Sequence, residues 1–155
     1  RALTAKGVKP ICPFRQVFQS VYLYGVFSPV NGSHFMLELP YCNSMLFQLF
    51  LNEFSKQNPE ELKLIVLDNG AFHKAKRLVI PQNVILIFLP PYSPELNPAE
   101  KIWAKFKRDF TNRLFPTIES LEDYVCGLAA KISKQEVISI ASFNYIFYDP
   151  FWTIL

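Results

Sequence analysis

Residues 62–75 read LKLIVLDNGAFHKA, and residues 84–103 read VILIFLPPYSPELNPAEKIW. Each stretch opens on a nearly unbroken apolar run and then breaks at turn-forming residues. A strand covered on both faces reads this way, whereas a strand with one wet face alternates polar and apolar residues. Leu62–Leu67 and Val84–Leu89 are therefore expected as buried central strands of a parallel or mixed sheet. Ala71–Leu78 is expected as a short helix between them, stopped by Pro81–Asn83.

Working outward, Gln16–Phe27 (QVFQSVYLYGVF) is rich in Val, Tyr and Phe with near alternation and reads as a strand. Asn31-Gly32 within Ser28–Ser33 is a tight-turn signal, and His34–Leu39 reads as the returning strand of a hairpin. Asn43–Phe54 reads as a helix capped by Asn43 or Ser44, with Leu46, Phe47, Phe50, Leu51 and Phe54 at helical spacing. Pro98–Thr111 and Ile118–Ile132 read as two further helices. The remainder, from Val137 onward, is apolar and aromatic without clean periodicity. No repeat, low-complexity tract or linker divides the chain, so residues 1–155 read as a single domain with an aromatic tail over 135–155. Strand pair, helix, strand, helix, strand, helix, helix is an α/β order.

The chain has 155 residues, half of them apolar, and a net charge of +3. A domain of this size buries roughly 68–70% of its unfolded surface, enough for a real core. Cys12, Cys42 and Cys126 lie far apart without a C-x-x-C, which argues against a disulfide scaffold or zinc site and for a reducing compartment. His34 and His73 cannot build a His-rich metal site. No apolar run approaches the roughly 18 residues of a membrane span. No signal peptide is visible, so a cytoplasmic location is expected. The chain opens on Arg1, which reads as a piece of something longer.

Two carboxylates stand at element ends. Asp68 closes the first apolar run, where sites gather in open α/β sheets, yet Asp-Asn-Gly is also plain turn chemistry. Glu100 follows Asn97 and Pro98, a helix N-cap and a proline at the first helical position, so it also fits the third position of a capping box. On a helical wheel Ala99, Ile102, Trp103, Phe106 and Phe110 form an apolar stripe with Glu100 on its margin. Lys101, Lys105, Lys107 and Arg108 line the same helix, and Lys74, Lys76 and Arg77 form a second basic cluster. Both suit a phosphate backbone, and both equally suit a solvated surface. His73 reads either as a functional contact to DNA or a metal-bound water, or as a capping or surface residue.

Taken together, LIVLDNGAFHKA and VILIFLPPYSPELNPAEKIWAKFK resemble the catalytic domain of DDE-type transposases, in the mariner superfamily and its bacterial insertion-sequence branch. The Pro-Tyr-Ser-Pro-Glu-Leu-Asn-Pro-Ala-Glu run is the specific part, and Asp-Asn-Gly supports it. The resemblance implies an RNase H-like fold, a mixed five-stranded sheet flanked by helices, over most of the chain. It implies metal-dependent cleavage and strand transfer of phosphodiesters at transposon ends. Asp68 and Glu100, 32 positions apart, fall on the second and third acids of the triad. They would hold Mg²⁺ or Mn²⁺, hard cations that take oxygen ligands, in a two-metal site. Glu95 matches an acidic motif position outside the triad.

The family's first aspartate lies upstream of a segment resembling ALTAKGVKP, and no acidic residue here precedes Glu38. The first strand and first acid are therefore expected to be missing and the metal site incomplete in this chain. The implied partners are transposon terminal repeats and target DNA, met by Asn69, His73, Lys74, Lys101, Lys105, Lys107 and Arg108. The aromatic tail and the sheet edge left by the missing first strand lead to the expectation of a homo-oligomer, at the bacterial nucleoid and without membrane association. Two rivals stand beside this reading. One is another nuclease on the same fold. The other is an inactive remnant that only binds DNA or protein.

Overall fold

The computed structural model describes residues 20–111 and 113–142, so residues 143–155 of the aromatic tail, Cys12 and the beginning of the first expected strand lie outside the described residues. Within them, β1 (Tyr22–Phe27) and β2 (His34–Leu39) form an antiparallel hairpin. Helix α1 (Ser44–Lys56) follows, then β3 (Lys63–Leu67), a 3₁₀ turn (Ala71–Lys74) and β4 (Val84–Phe88), which pairs in parallel with β3. A second 3₁₀ turn (Pro94–Leu96) leads into α2 (Pro98–Phe110), then α3 (Ile118–Lys131) and α4 (Lys134–Ala141). This is a mixed α/β architecture with one antiparallel and one parallel strand pair, consistent with an RNase H-like fold. The described strands form two separate pairs rather than one five-stranded sheet.

The hairpin forms where its turn chemistry places it. Gly32 sits at φ +71, a conformation costing most residues roughly 1–2 kcal/mol. It is also hemmed in: a Cβ there would lie 2.2 Å from the Lys134 carbonyl oxygen at the start of α4. Gly32→Ala is therefore expected to destabilise the protein by at least about 2 kcal/mol in urea denaturation, combining left-handed strain with overpacking. The first expected strand is shorter than its text suggests, since Ser20 and Val21 lie outside it.

Alternation along the hairpin sends its two faces to two cores. Tyr24, Val26, Phe35 and Leu37 meet Phe47, Phe50 and Leu51 of α1, together with Ile65, Leu67 and Val84 of the parallel pair. Leu23, Phe27 and Met36 meet Ile102, Trp103, Phe106 and Phe110 of α2, with Ile132, Val137 and Ala141. Gly25 admits the Trp103 indole, whose Cη2 lies 2.8 Å from where a Cβ would stand. The stripe read on α2 is thus a core stripe. Tyr24 ties the hairpin to α1: its hydroxyl donates to the Tyr41 carbonyl and accepts the N–H of Asn43, the α1 N-cap. Burial, the larger cause, and the neighbouring Cys42 raise that hydroxyl's pKa to about 12.

Three expectations are corrected. β3 and β4 are not covered on both faces: Ile65, Leu67 and Val84 are buried, but Leu64, Val66 and Ile85 are exposed. The reason is that α1 packs on one face of this pair and no described element covers the other. The helix expected over Ala71–Leu78 is only the single turn Ala71–Lys74, followed by extended backbone at Ala75. Gln48 of α1 pins that extended segment, exchanging two 2.7 Å hydrogen bonds with the Val79 backbone. Finally, the stretch without periodicity begins with a helix, α4. Its Ser133–Glu136 capping box was the local signal. Among the described residues no helix is long and apolar enough to cross a membrane.

Candidate active site

The parallel pair ends at Leu67 and Phe88, and the two chains leave it side by side. The Leu89 N–H donates to the Leu67 carbonyl at 2.9 Å, extending the ladder by one step. The Asn69 side-chain amide donates back to the Leu89 carbonyl. Asn69 is therefore a brace between the two strand ends, half-buried. The exits frame an open cavity of about 250 Å³ lined by Asp68, Asn69, Gly70, Leu89, Pro90, Tyr92 and Ser93. The Tyr92 side chain is fully exposed on its rim, with backbone at φ +59, a conformation uncommon outside glycine.

Asp68 presents its carboxylate here, 60% exposed. Oδ1 accepts the Gly70 N–H at 2.9 Å and lies 3.3 Å from His73 Nε2. Asp68 thus plays the turn role and keeps an exposed oxygen, so the two readings of it are compatible. Gly70 has an ordinary φ of −50. It is glycine because of close approach: a Cβ would stand 2.9 Å from the His73 ring and 3.1 Å from Asp68 Oδ1.

His73 is not a surface residue. Its side chain is 15% exposed, edge-on to Phe47 at 4.5 Å between centroids and against Phe72 at 3.9 Å. Burial holds its pKa below the ordinary 6.5, with Asp68 pulling the other way. The unfolded chain therefore binds the proton more readily than the folded one. In metal-free buffer, this contribution to stability is complete above about pH 6.5 and is lost as pH falls below it. His73→Phe should flatten that loss in a series of thermal melts between neutral and mildly acidic pH.

Glu100 lies in the first turn of α2, exposed. Asn97 caps this helix by accepting the Ala99 N–H at 3.1 Å, and Pro98 stands at the first helical position. The Glu100 side chain does not return a bond to the Asn97 backbone, so the cap is not a capping box and the carboxylate is left open. Among the described residues no three of His, Cys, Asp and Glu converge as a metal site requires. Asp68, His73 and Glu100 therefore do not make up such a cluster on their own. Glu95 is exposed on the 3₁₀ turn that precedes α2.

Of the expected DNA-contact residues, Lys101, Lys107 and Arg108 are exposed on α2. Lys105 is half-buried and engaged with Asp109 at 3.1 Å and Glu136 of α4 at 3.8 Å, which gives it a structural task. Lys74 is exposed, its ammonium 5.2 Å from the Phe88 ring centroid. Among the described residues, no cysteine lines this cavity. Cys42 and Cys126 are free thiols, and Cys126 donates to Glu38 at 3.1 Å, a bond that raises its pKa to about 11.

An exposed carboxylate at the carboxyl end of a parallel strand, followed by a capped helix bearing a second, is the arrangement the motifs implied. The chain matches the family described as DDE superfamily endonuclease over residues 1–122. It belongs to that family. A protein of Sinorhizobium fredii (strain NBRC 101917 / NGR234), named uncharacterized protein y4pE/y4sA, is 34% identical over 117 residues, covering 74% of this chain and 86% of the relative. No solved structure matches this DDE superfamily chain.

Proposed function

We propose that this chain is the catalytic region of a DNA transposase of the mariner type. In this reading it performs metal-dependent cleavage and strand transfer of phosphodiesters at transposon ends. The observation that carries the reading is Asp68: one oxygen held by the Gly70 N–H, the other open at the rim of the strand-end cavity, in a DDE superfamily chain. A hard cation takes oxygen ligands, and the donors present fit Mg²⁺ or Mn²⁺. Asp68 and Glu100 would hold it, together with a further acid. When bound, such ions activate the attacking oxygen and stabilise the leaving one in an in-line displacement.

The chain's own residues supply placement. Asn69 fixes the two strand ends against each other, so the carboxylate leaves a rigid base. Asn97 and Pro98 fix the start of α2 and so the position of Glu100. Lys101, Lys107 and Arg108 offer positive charge beside it for the phosphate backbone.

The test is a labelled duplex carrying the element's terminal repeat, incubated with the full gene product and Mg²⁺ or Mn²⁺. Strand cleavage at the repeat end that disappears with chelator is expected. Tight duplex binding with no cleavage under either metal would instead favour the alternative, a non-catalytic DNA-binding remnant.

A further inference from the structure

We infer that Tyr92 is a stacking platform for an unpaired base of the DNA, next to the phosphate that the Asp68 cavity takes. The inference rests on the reading of that cavity as a DNA-processing site and adds a substrate contact to it. Three observations carry it.

The first is exposure. The Tyr92 side chain is fully exposed, so both faces of its ring meet water. Among the described residues no other large apolar side chain is as open, and the next, Met45 and Val79, stand at 73%. Tyr24 is buried, and Tyr124 packs against Phe115 and Arg113. An aromatic ring carries its binding value in its apolar faces. Those of Tyr92 are unused within the described fold.

The second is presentation. Upstream, the Leu89 N–H donates to the Leu67 carbonyl at 2.9 Å, and the Asn69 amide donates to the Leu89 carbonyl. Pro90 and Pro91 follow, each with its φ fixed by the ring. Downstream, the Ser93 hydroxyl donates to the Pro91 carbonyl at 3.4 Å, and the Leu96 N–H donates to the Ser93 carbonyl at 3.1 Å. Between these braces Tyr92 sits at φ +59. A residue other than glycine keeps that conformation only where its surroundings over-determine it, and such positions cluster at ligand clamps. A braced turn therefore holds the ring out in water, and a ligand meeting it orders little further backbone.

The third is the chemistry of the cavity. Tyr92 lines the same cavity as Asp68, with Leu89 and Pro90 as apolar wall. A simple anion would be repelled by the carboxylate, and a purely apolar ligand would leave it unused. A nucleotide matches both parts: a hard cation bridges its phosphate to the carboxylate, and its base offers a face to the ring. The base must be unpaired, because a base inside a duplex is already stacked on both sides. Every base has such a face, so Tyr92 contributes affinity and strand position rather than sequence choice.

The experiment uses the full gene product and two labelled terminal-repeat DNAs, one fully paired and one with a few unpaired bases at the end to be cleaved. The unpaired bases include 2-aminopurine. Wild type, Tyr92→Ala and Tyr92→Phe are compared by fluorescence anisotropy in Ca²⁺, with a thermal melt of each. Asp68→Asn cleavage in Mg²⁺ serves as the control on the site. Tyr92→Ala is expected to weaken binding of the unpaired end about 5–150-fold, the range for one stacked base. It should leave binding of the fully paired DNA and the melting temperature unchanged. Tyr92→Phe keeps the ring and should bind like wild type. The 2-aminopurine signal should be quenched by wild type and by Tyr92→Phe, and not by Tyr92→Ala.

Wild-type affinity for the unpaired end in Tyr92→Ala, with Asp68→Asn still abolishing cleavage, overturns the stacking role and leaves the proposed function intact. Equal weakening in Tyr92→Ala and Tyr92→Phe overturns it too, because the hydroxyl rather than the ring would then be the contact. So does equal weakening on both DNAs, or a lowered melting temperature in Tyr92→Ala. A wild-type protein that binds neither DNA overturns the proposed function and this inference together.

Discussion

Asp68→Asn is expected to lower metal-dependent cleavage by on the order of 10³-fold while leaving the fold nearly unchanged. The two halves of that statement have separate causes. Metal ions contribute several kcal/mol to the transition state of a phosphodiester displacement. If the loss of an anionic ligand removes about 4 kcal/mol of that, the rate falls roughly a thousandfold, at 1.36 kcal/mol per decade. The fold is spared because Asp68 is largely exposed and its structural bond is a single one. The Asn side-chain oxygen can still accept the Gly70 N–H that Oδ1 accepts now.

Glu100→Gln should behave in parallel. Its carboxylate bonds to nothing among the described residues, so the structural loss is confined to a favourable charge at a helix N-terminus, about 0.3–1 kcal/mol. Single-turnover cleavage by the full gene product, read beside a thermal melt, checks both variants. Wild-type cleavage in either would remove that acid from the mechanism. A large drop in melting temperature would make the carboxylate structural instead.

What the sequence disclosed divides by the range of the interaction involved. Asn97 and Pro98 announced the start of α2, and Asn31-Gly32 announced the hairpin turn, because caps and tight turns are contacts between near neighbours. The two strand-end motifs were specific enough to point to the family. Coverage of β3 was not legible. Leu64 and Val66 are as apolar as Ile65 and Leu67, and only the placement of α1 decides which pair is buried.

The setting of His73 was hidden for the same reason. Its neighbour Phe47 lies on an element well upstream, and no local pattern reports that meeting. Lys105 looked like one more cation on a basic helix, yet Glu136 pairs with it from α4. That helix was missed because periodicity was sought in its apolar part. Its Ser133–Glu136 cap was the better signal. Errors about α4 therefore became errors about which cations of α2 face solvent.

The same packing makes Ile102 the position where a stability change reaches the site. Ile102 is fully buried, between Phe106 and Trp103 on its own helix and Val137 and Ala141 of α4. Ile102→Ala should destabilise the protein by about 2–5 kcal/mol, through lost transfer energy and the cavity left behind. Total stabilities run about 5–15 kcal/mol, so this is a substantial share. At roughly 2–4 °C per kcal/mol for a chain of this size, the melting temperature should fall by about 4–20 °C. Ile102→Val removes one methylene and should cost only about 0.5–1.5 kcal/mol. Glu100 stands half a turn before Ile102 on α2, so loosening this contact should also reduce cleavage. Denaturant melts of the two variants test the packing, and a loss in Ile102→Ala no larger than in Ile102→Val would show that α2 is not anchored through this side chain.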